Sequence, residues 1–122
     1  MITVLYIFIG GGLGSLARYG VSKTIENFTT STLPIATFIS NTIACLILAL
    51  IAYLFQNKLN QPSWVSPFLL IGFCGGFSTF STFSNETVQL IINGQWITAL
   101  LNVLISIITA FGIIYWLRFK IN

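Results

Sequence analysis

Gly72-Phe73-Cys74-Gly75-Gly76-Phe77-Ser78-Thr79-Phe80-Ser81-Thr82-Phe83-Ser84-Asn85-Glu86 decides how this chain is read. Glycine and hydroxyl residues crowd it, yet apolar sequence flanks it on both sides. Val65 to Leu70 reads as ordinary membrane helix, and apolar character returns over Val88 to Ile92. A hydroxyl-rich stretch at the depth of a bilayer centre is anomalous, because lipid offers its backbone no hydrogen-bond partners. Two adjacent glycines followed by Ser78 and Thr79 predict a helix break at Gly75-Gly76; the alternative is an unbroken helix whose glycines only pack. In broken membrane helices the freed carbonyls often coordinate Na⁺.

The rest of the chain places this stretch in lipid. Of 122 residues, 56% are hydrophobic and 6% charged. A soluble domain carries about 25% charged residues, and so small a sphere exposes too much surface to do with fewer. An ordinary cytosolic enzyme and a disordered chain are both excluded. A membrane helix needs roughly 20 apolar residues. Four such spans are read at about residues 2–22, 34–55, 65–92 and 97–117, making residues 1–122 a single four-helix transmembrane domain. Trp64 and Trp96 stand at interface positions, and Asn93-Gly94-Gln95 reads as a tight turn.

The ionisable inventory narrows the chemistry. Five Lys and Arg face two acids, with no Asp and no His. A His-centred general base is excluded, zinc and di-iron sites lack ligands, and no nucleophile–base pair is available to an enzyme. A net charge of +3, scattered along the chain, does not fit nucleic-acid binding. Cys45 and Cys74, inside apolar stretches, read as small buried hydrophobes. With four spans, Lys58, Arg118 and Lys120 fall on one side of the membrane and Arg18 and Lys23 on the other. So small a bias leaves both single and dual insertion open. A homodimer about a two-fold axis in the membrane plane would bury the polar residues of the spans.

Several residues carry candidate chemistry. Gly10, Gly11, Gly12 and Gly14 match no nucleotide loop; Gly10/Gly14 and Gly72/Gly76 have the spacing that lets helix backbones approach closely. Phe77, Phe80 and Phe83 recur every third residue among hydroxyls, and aromatic edges carry positive partial charge that a desolvated anion can follow. Asn41, well inside span two, reads as an interhelical hydrogen bond or as an amide donor facing a conduit. Asn102 and Ser106 share a face of span four, which Ala110 continues without a polar group, beside Thr109. Arg18 and Glu86 lie near the same membrane face, as a structural charge pair or as groups of a vestibule.

Three of these elements resemble one family. The span-three stretch is similar to the GxCGGxTTFSTF signature of the Fluc (CrcB) fluoride channels. Gly11-Gly12-Leu13-Gly14-Ser15-Leu16-Ala17-Arg18-Tyr19 resembles their GGxxGxxxRY element, and Pro34-Ile35-Ala36-Thr37-Phe38-Ile39-Ser40-Asn41 their GTLxVN element. The likeness runs through the whole chain in order. It implies an all-α membrane protein of four transmembrane helices with a broken third. The protein would assemble as an antiparallel, dual-topology homodimer in the cell membrane, with two fluoride pores. It implies passive, electrogenic fluoride efflux that relieves fluoride toxicity. It further implies that Asn41, Phe80, Phe83, Asn102 and Ser106 line the pores. The backbone carbonyls of Gly75 and Ser78 would hold a structural Na⁺ at the dimer interface that is not transported. Two other readings compete. A small multidrug-resistance-type exporter needs a carboxylate deep in its first span, which this chain lacks. A non-transporting scaffold subunit would leave Asn41 and the Phe/Ser/Thr ridge without a task.

Overall fold

The computed structural model describes residues 1–56 and 58–120, and all its regular elements are helical. Helix α1 covers Ile2–Phe28 and α2 covers Ile35–Leu54. A short 3₁₀ turn, Lys58–Asn60, follows. The third span opens with a π-helical stretch, Ser66–Cys74, that runs into one α turn, Gly75–Phe77; together these are α3. After Ser78 and Thr79 come α4, Phe80–Ile92, and α5, Trp96–Phe119. Four helical stretches, Ile2–Phe28, Ile35–Leu54, Ser66–Ile92 and Trp96–Phe119, are long and apolar enough to cross a membrane. The protein is a multi-pass membrane protein.

Helix α1 runs six residues past the end expected for span one. The sequence from Ser22 looks like loop, but it holds no breaker before Thr29. Lys23 bridges Glu26 at 2.8 Å one turn on, and the Thr24 hydroxyl donates to Gly20 O at 2.8 Å. The ion pair is a local support for this helix end, and the hydroxyl finds its partner within the helix.

Glycine governs how the first and third spans pack. A Cβ on Gly10 would strike the carbonyl of Phe68, one on Gly14 the carbonyl of Phe73, and one on Gly76 the carbonyl of Gly11. On Gly72 it would come within 3.0 Å of Gly10 Cα. The two small-residue motifs therefore interlock, backbone on backbone, as their spacing leads one to expect. Pro67 sits in the first turn of α3, where a missing N–H costs no helical bond. On the other side, α2 packs chiefly on α5, and α4 also leans on α5. Gly94, at φ 77°, takes the left-handed conformation of the turn between α4 and α5.

The protomer has a thin core. Ala44, Ala49, Cys74, Phe77 and Ala99 are buried, whereas Phe8, Phe80, Ile108 and Phe111 are exposed. Both cysteines are free; Cys74 is buried and Cys45 half-buried, in keeping with their reading as hydrophobes.

Candidate functional site

The third span is broken, but not at the glycines. Gly75 is helical, at φ −64° and ψ −38°. The chain turns extended at Ser78 (φ −78°, ψ 157°) and Thr79 (φ −152°, ψ 119°). This moves the break three residues beyond the expected Gly75-Gly76, and the reason is hydrogen bonding. Glycine permits a break, but Gly76 is needed as helix where it meets Gly11. Ser78 and Thr79 come with replacement partners. The Ser78 hydroxyl donates to Cys74 O at 2.8 Å. Thr79 Oγ1 accepts the Thr82 N–H at 3.2 Å and so caps α4.

Asn41 completes the break from α2. Its Oδ1 accepts the Thr79 N–H at 2.7 Å, and its Nδ2 donates to Thr79 O at 3.2 Å. One amide side chain thus pairs with both backbone groups of a single residue, as a neighbouring strand would. Of the two roles open to Asn41 in the sequence, the interhelical hydrogen bond is made within the protomer. An amide has two N–H groups, so one remains for another partner.

The same exchange strands carbonyls. In a continuous helix Thr79 N–H would meet Gly75 O, and Thr82 N–H would meet Ser78 O. Both donors are taken elsewhere, by Asn41 and by Thr79 Oγ1. Among the described residues no backbone N–H reaches either carbonyl across the break. Gly75 lies on the protomer surface, with open space where a Cβ would be.

The break also separates the phenylalanines. Phe77 ends α3, is buried, and stacks on Phe73 at 5.6 Å. Phe80 and Phe83 open α4, their ring centroids 6.0 Å apart. Phe80 is 80% exposed on the protomer, so the ridge it forms with Phe83 has a free side.

Asn102 and Ser106 are brought together in a groove of about 340 Å³ between the start of α2 and α5, walled also by Pro34 and Phe38. Asn102 Nδ2 donates to Thr87 Oγ1 at 2.9 Å, and Thr87 Oγ1 in turn donates to Phe83 O at 2.8 Å. Ser106 Oγ is enclosed without a protein partner. The polar face of α5 is therefore tied to the helix that carries the phenylalanines.

Arg18 and Glu86 do not form a pair in the protomer. Among the described residues the ion pair made is Lys23–Glu26. Arg18 and Glu86 face one polar cavity of about 280 Å³, shared with Thr37, Thr79 and Thr82. Glu86 Oε1 instead takes the Thr37 hydroxyl at 2.8 Å, and Oε2 is enclosed without a partner. A short hydroxyl on the facing helix reaches the carboxylate where the guanidinium does not. Arg18 and Glu86 thus share a polar cavity without forming the charge pair.

The contacts Asn41–Thr79, Thr37–Glu86 and Asn102–Thr87 escape sequence reasoning as pairs. Thr87 raised no signal there at all, sitting as one more hydroxyl in an apolar tail.

A thin-cored bundle of four membrane helices, with a hydrogen-bonded break in the middle of the third span and polar groups facing grooves, defines a small multi-pass protein of the channel or transporter class. The family model described as "CrcB-like protein, Camphor Resistance (CrcB)" matches residues 5–117, and the chain belongs to that family. It is 41% identical to a protein of Flavobacterium psychrophilum named fluoride-specific ion channel FluC, over 88% of this chain and 86% of that one. Proteins of the same name from Maridesulfovibrio salexigens (42% identical, 81% and 79% covered) and Pyrococcus abyssi (38%, 93% and 90%) are similarly close.

Proposed function

We propose that this protein is a fluoride-specific ion channel, working by passive, electrogenic efflux. The observation that carries the reading is identity of about two residues in five, over nearly the whole chain, to proteins named for that activity. The site's chemistry supports it. Fluoride holds water tightly, so a path for it needs strong donors. Asn41, Asn102 and Ser106 provide them, and the ring edges of exposed Phe80 and half-buried Phe83 offer positive partial charge without a trapping counter-ion. No nucleotide loop or catalytic dyad competes for these residues. Fluoride enters acidified cells as HF, dissociates, and leaves through such a channel down its own gradient.

The active form is an antiparallel homodimer inserted in both orientations. Three observations favour a second copy. The charge bias across the membrane is slight, Phe80 lies bare on the protomer, and Gly75, whose carbonyl the break strands, is exposed on the protomer surface. Gly75 and Ser78 fit a structural Na⁺. Their carbonyls are hard oxygen donors freed by the break, and two oxygens from one chain leave a cation short of ligands until a second copy adds its own. Na⁺ there would tie the copies together as a fixed charge, while Asn41 keeps the break open.

Liposomes holding the purified protein and loaded with fluoride or chloride test the reading. With valinomycin clamping the voltage, fluoride should empty rapidly and chloride should not. No fluoride loss from folded protein would overturn it.

A further inference from the structure

We infer that Thr87 is a positioning residue for fluoride passage, fixing which way the Asn102 amide faces. This role rests on Asn102 being part of the proposed fluoride path. A threonine hydroxyl has one proton and two acceptor lone pairs. Here the proton is committed to Phe83 O, one turn back on the same helix, at 2.8 Å. What Thr87 turns toward α5 is therefore an acceptor, and an acceptor can be met only by a donor. Asn102 answers with Nδ2 at 2.9 Å, which sends Oδ1 to the other arm of the fork. The amide cannot exchange its ends without placing Oδ1 against the Thr87 lone pairs.

The orientation matters to an anion. An amide free to turn spends part of its time oxygen-first, which repels fluoride. One held by its nitrogen keeps its second N–H in a fixed place. Thr87 does this from α4, the helix that also carries Phe80 and Phe83, so the donor on α5 and the aromatic ridge share one register. Thr87 is half-buried and lies outside the groove that Asn102 and Ser106 line, so it acts through Asn102 and not on the ion.

The test uses three variants of the full chain in liposomes and nanodiscs: Thr87→Val, Thr87→Ser and Asn102→Ala. Valine keeps the shape and removes the hydroxyl; serine keeps the hydroxyl. Loss of one neutral hydrogen bond predicts fluoride efflux slowed about 3- to 10-fold in Thr87→Val, more at low fluoride than at saturation. Thr87→Ser restores the rate, and Thr87→Val added to Asn102→Ala costs nothing further. Independently of flux, the ¹⁵N side-chain amide signals of Asn102, assigned by their loss in Asn102→Ala, shift in Thr87→Val and not in Thr87→Ser. Unmoved amide signals would overturn the proposal. So would shifted signals with unchanged fluoride efflux, or a slowing that adds to that of Asn102→Ala. A wild-type chain that passes no fluoride would refute the channel reading instead, with the amide signals still reporting the hold of Thr87 on Asn102.

Discussion

Replacing Asn41 by alanine removes the side chain that bonds both backbone groups of Thr79. The distances of 2.7 Å and 3.2 Å mark two made hydrogen bonds, and Thr79 is 8% exposed, so both groups are largely shielded from bulk water. A buried polar group left unpaired costs about 1–3 kcal/mol, so the pair costs roughly 2–6 kcal/mol in Asn41→Ala. The chain has one escape, which is to close the helix and return Thr79 N–H to Gly75 O. That requires Ser78 to swing from ψ 157° to a helical value, carrying Phe80 and Phe83 around with it. Either route is measurable. Unfolding in mixed micelles, followed by tryptophan fluorescence, gives the stability loss, and fluoride efflux reports the phenylalanine ridge. Asn41→Ala matching the wild type to within about 0.5 kcal/mol, the range of an unengaged surface position, would refute the account of the break.

Gly76→Ala forces a methyl against the Gly11 carbonyl and should cost about 1–3 kcal/mol in the same unfolding assay. Gly12→Ala, with nothing within 4 Å, should be neutral or stabilise by up to about 1 kcal/mol; equal effects would contradict the interlocked packing. Phe80→Ile should slow fluoride efflux by about tenfold, the worth of an aromatic contact, while leaving the protomer's fold intact because the ring is exposed. Unchanged efflux would remove Phe80 from the path. Replacing Na⁺ by N-methylglucamine should weaken the dimer in cross-linking, and indifference to the exchange would argue against a cation on the Gly75 and Ser78 carbonyls.

The sequence makes the four spans legible because each is a long apolar run, and the glycine packing legible because Gly10/Gly14 and Gly72/Gly76 repeat a helical spacing. The break is legible in kind and misplaced in position. Gly75-Gly76 shows where a helix can yield, whereas the actual turn at Ser78-Thr79 depends on Asn41, 38 residues away and on another helix. The same limit hides Thr37–Glu86 and Asn102–Thr87. Each is a single contact across two helices, whose partner is set by helix rotation and leaves no period in the chain. Arg18 and Glu86 show the converse error. Opposite charges near one membrane face invite pairing, yet a hydroxyl on the facing helix reached the carboxylate first.

The turn at Gly94 bears on how the protein is made. The third span, which carries Ser78, Thr79, Ser81, Thr82, Ser84, Asn85 and Glu86, is the least apolar of the four. Three residues separate α4 from α5, too few to let one leave the translocon without the other. The apolar α5 can therefore draw its polar neighbour into the bilayer as a hairpin. So short a turn ties entry of the third span into the membrane to that of the fourth.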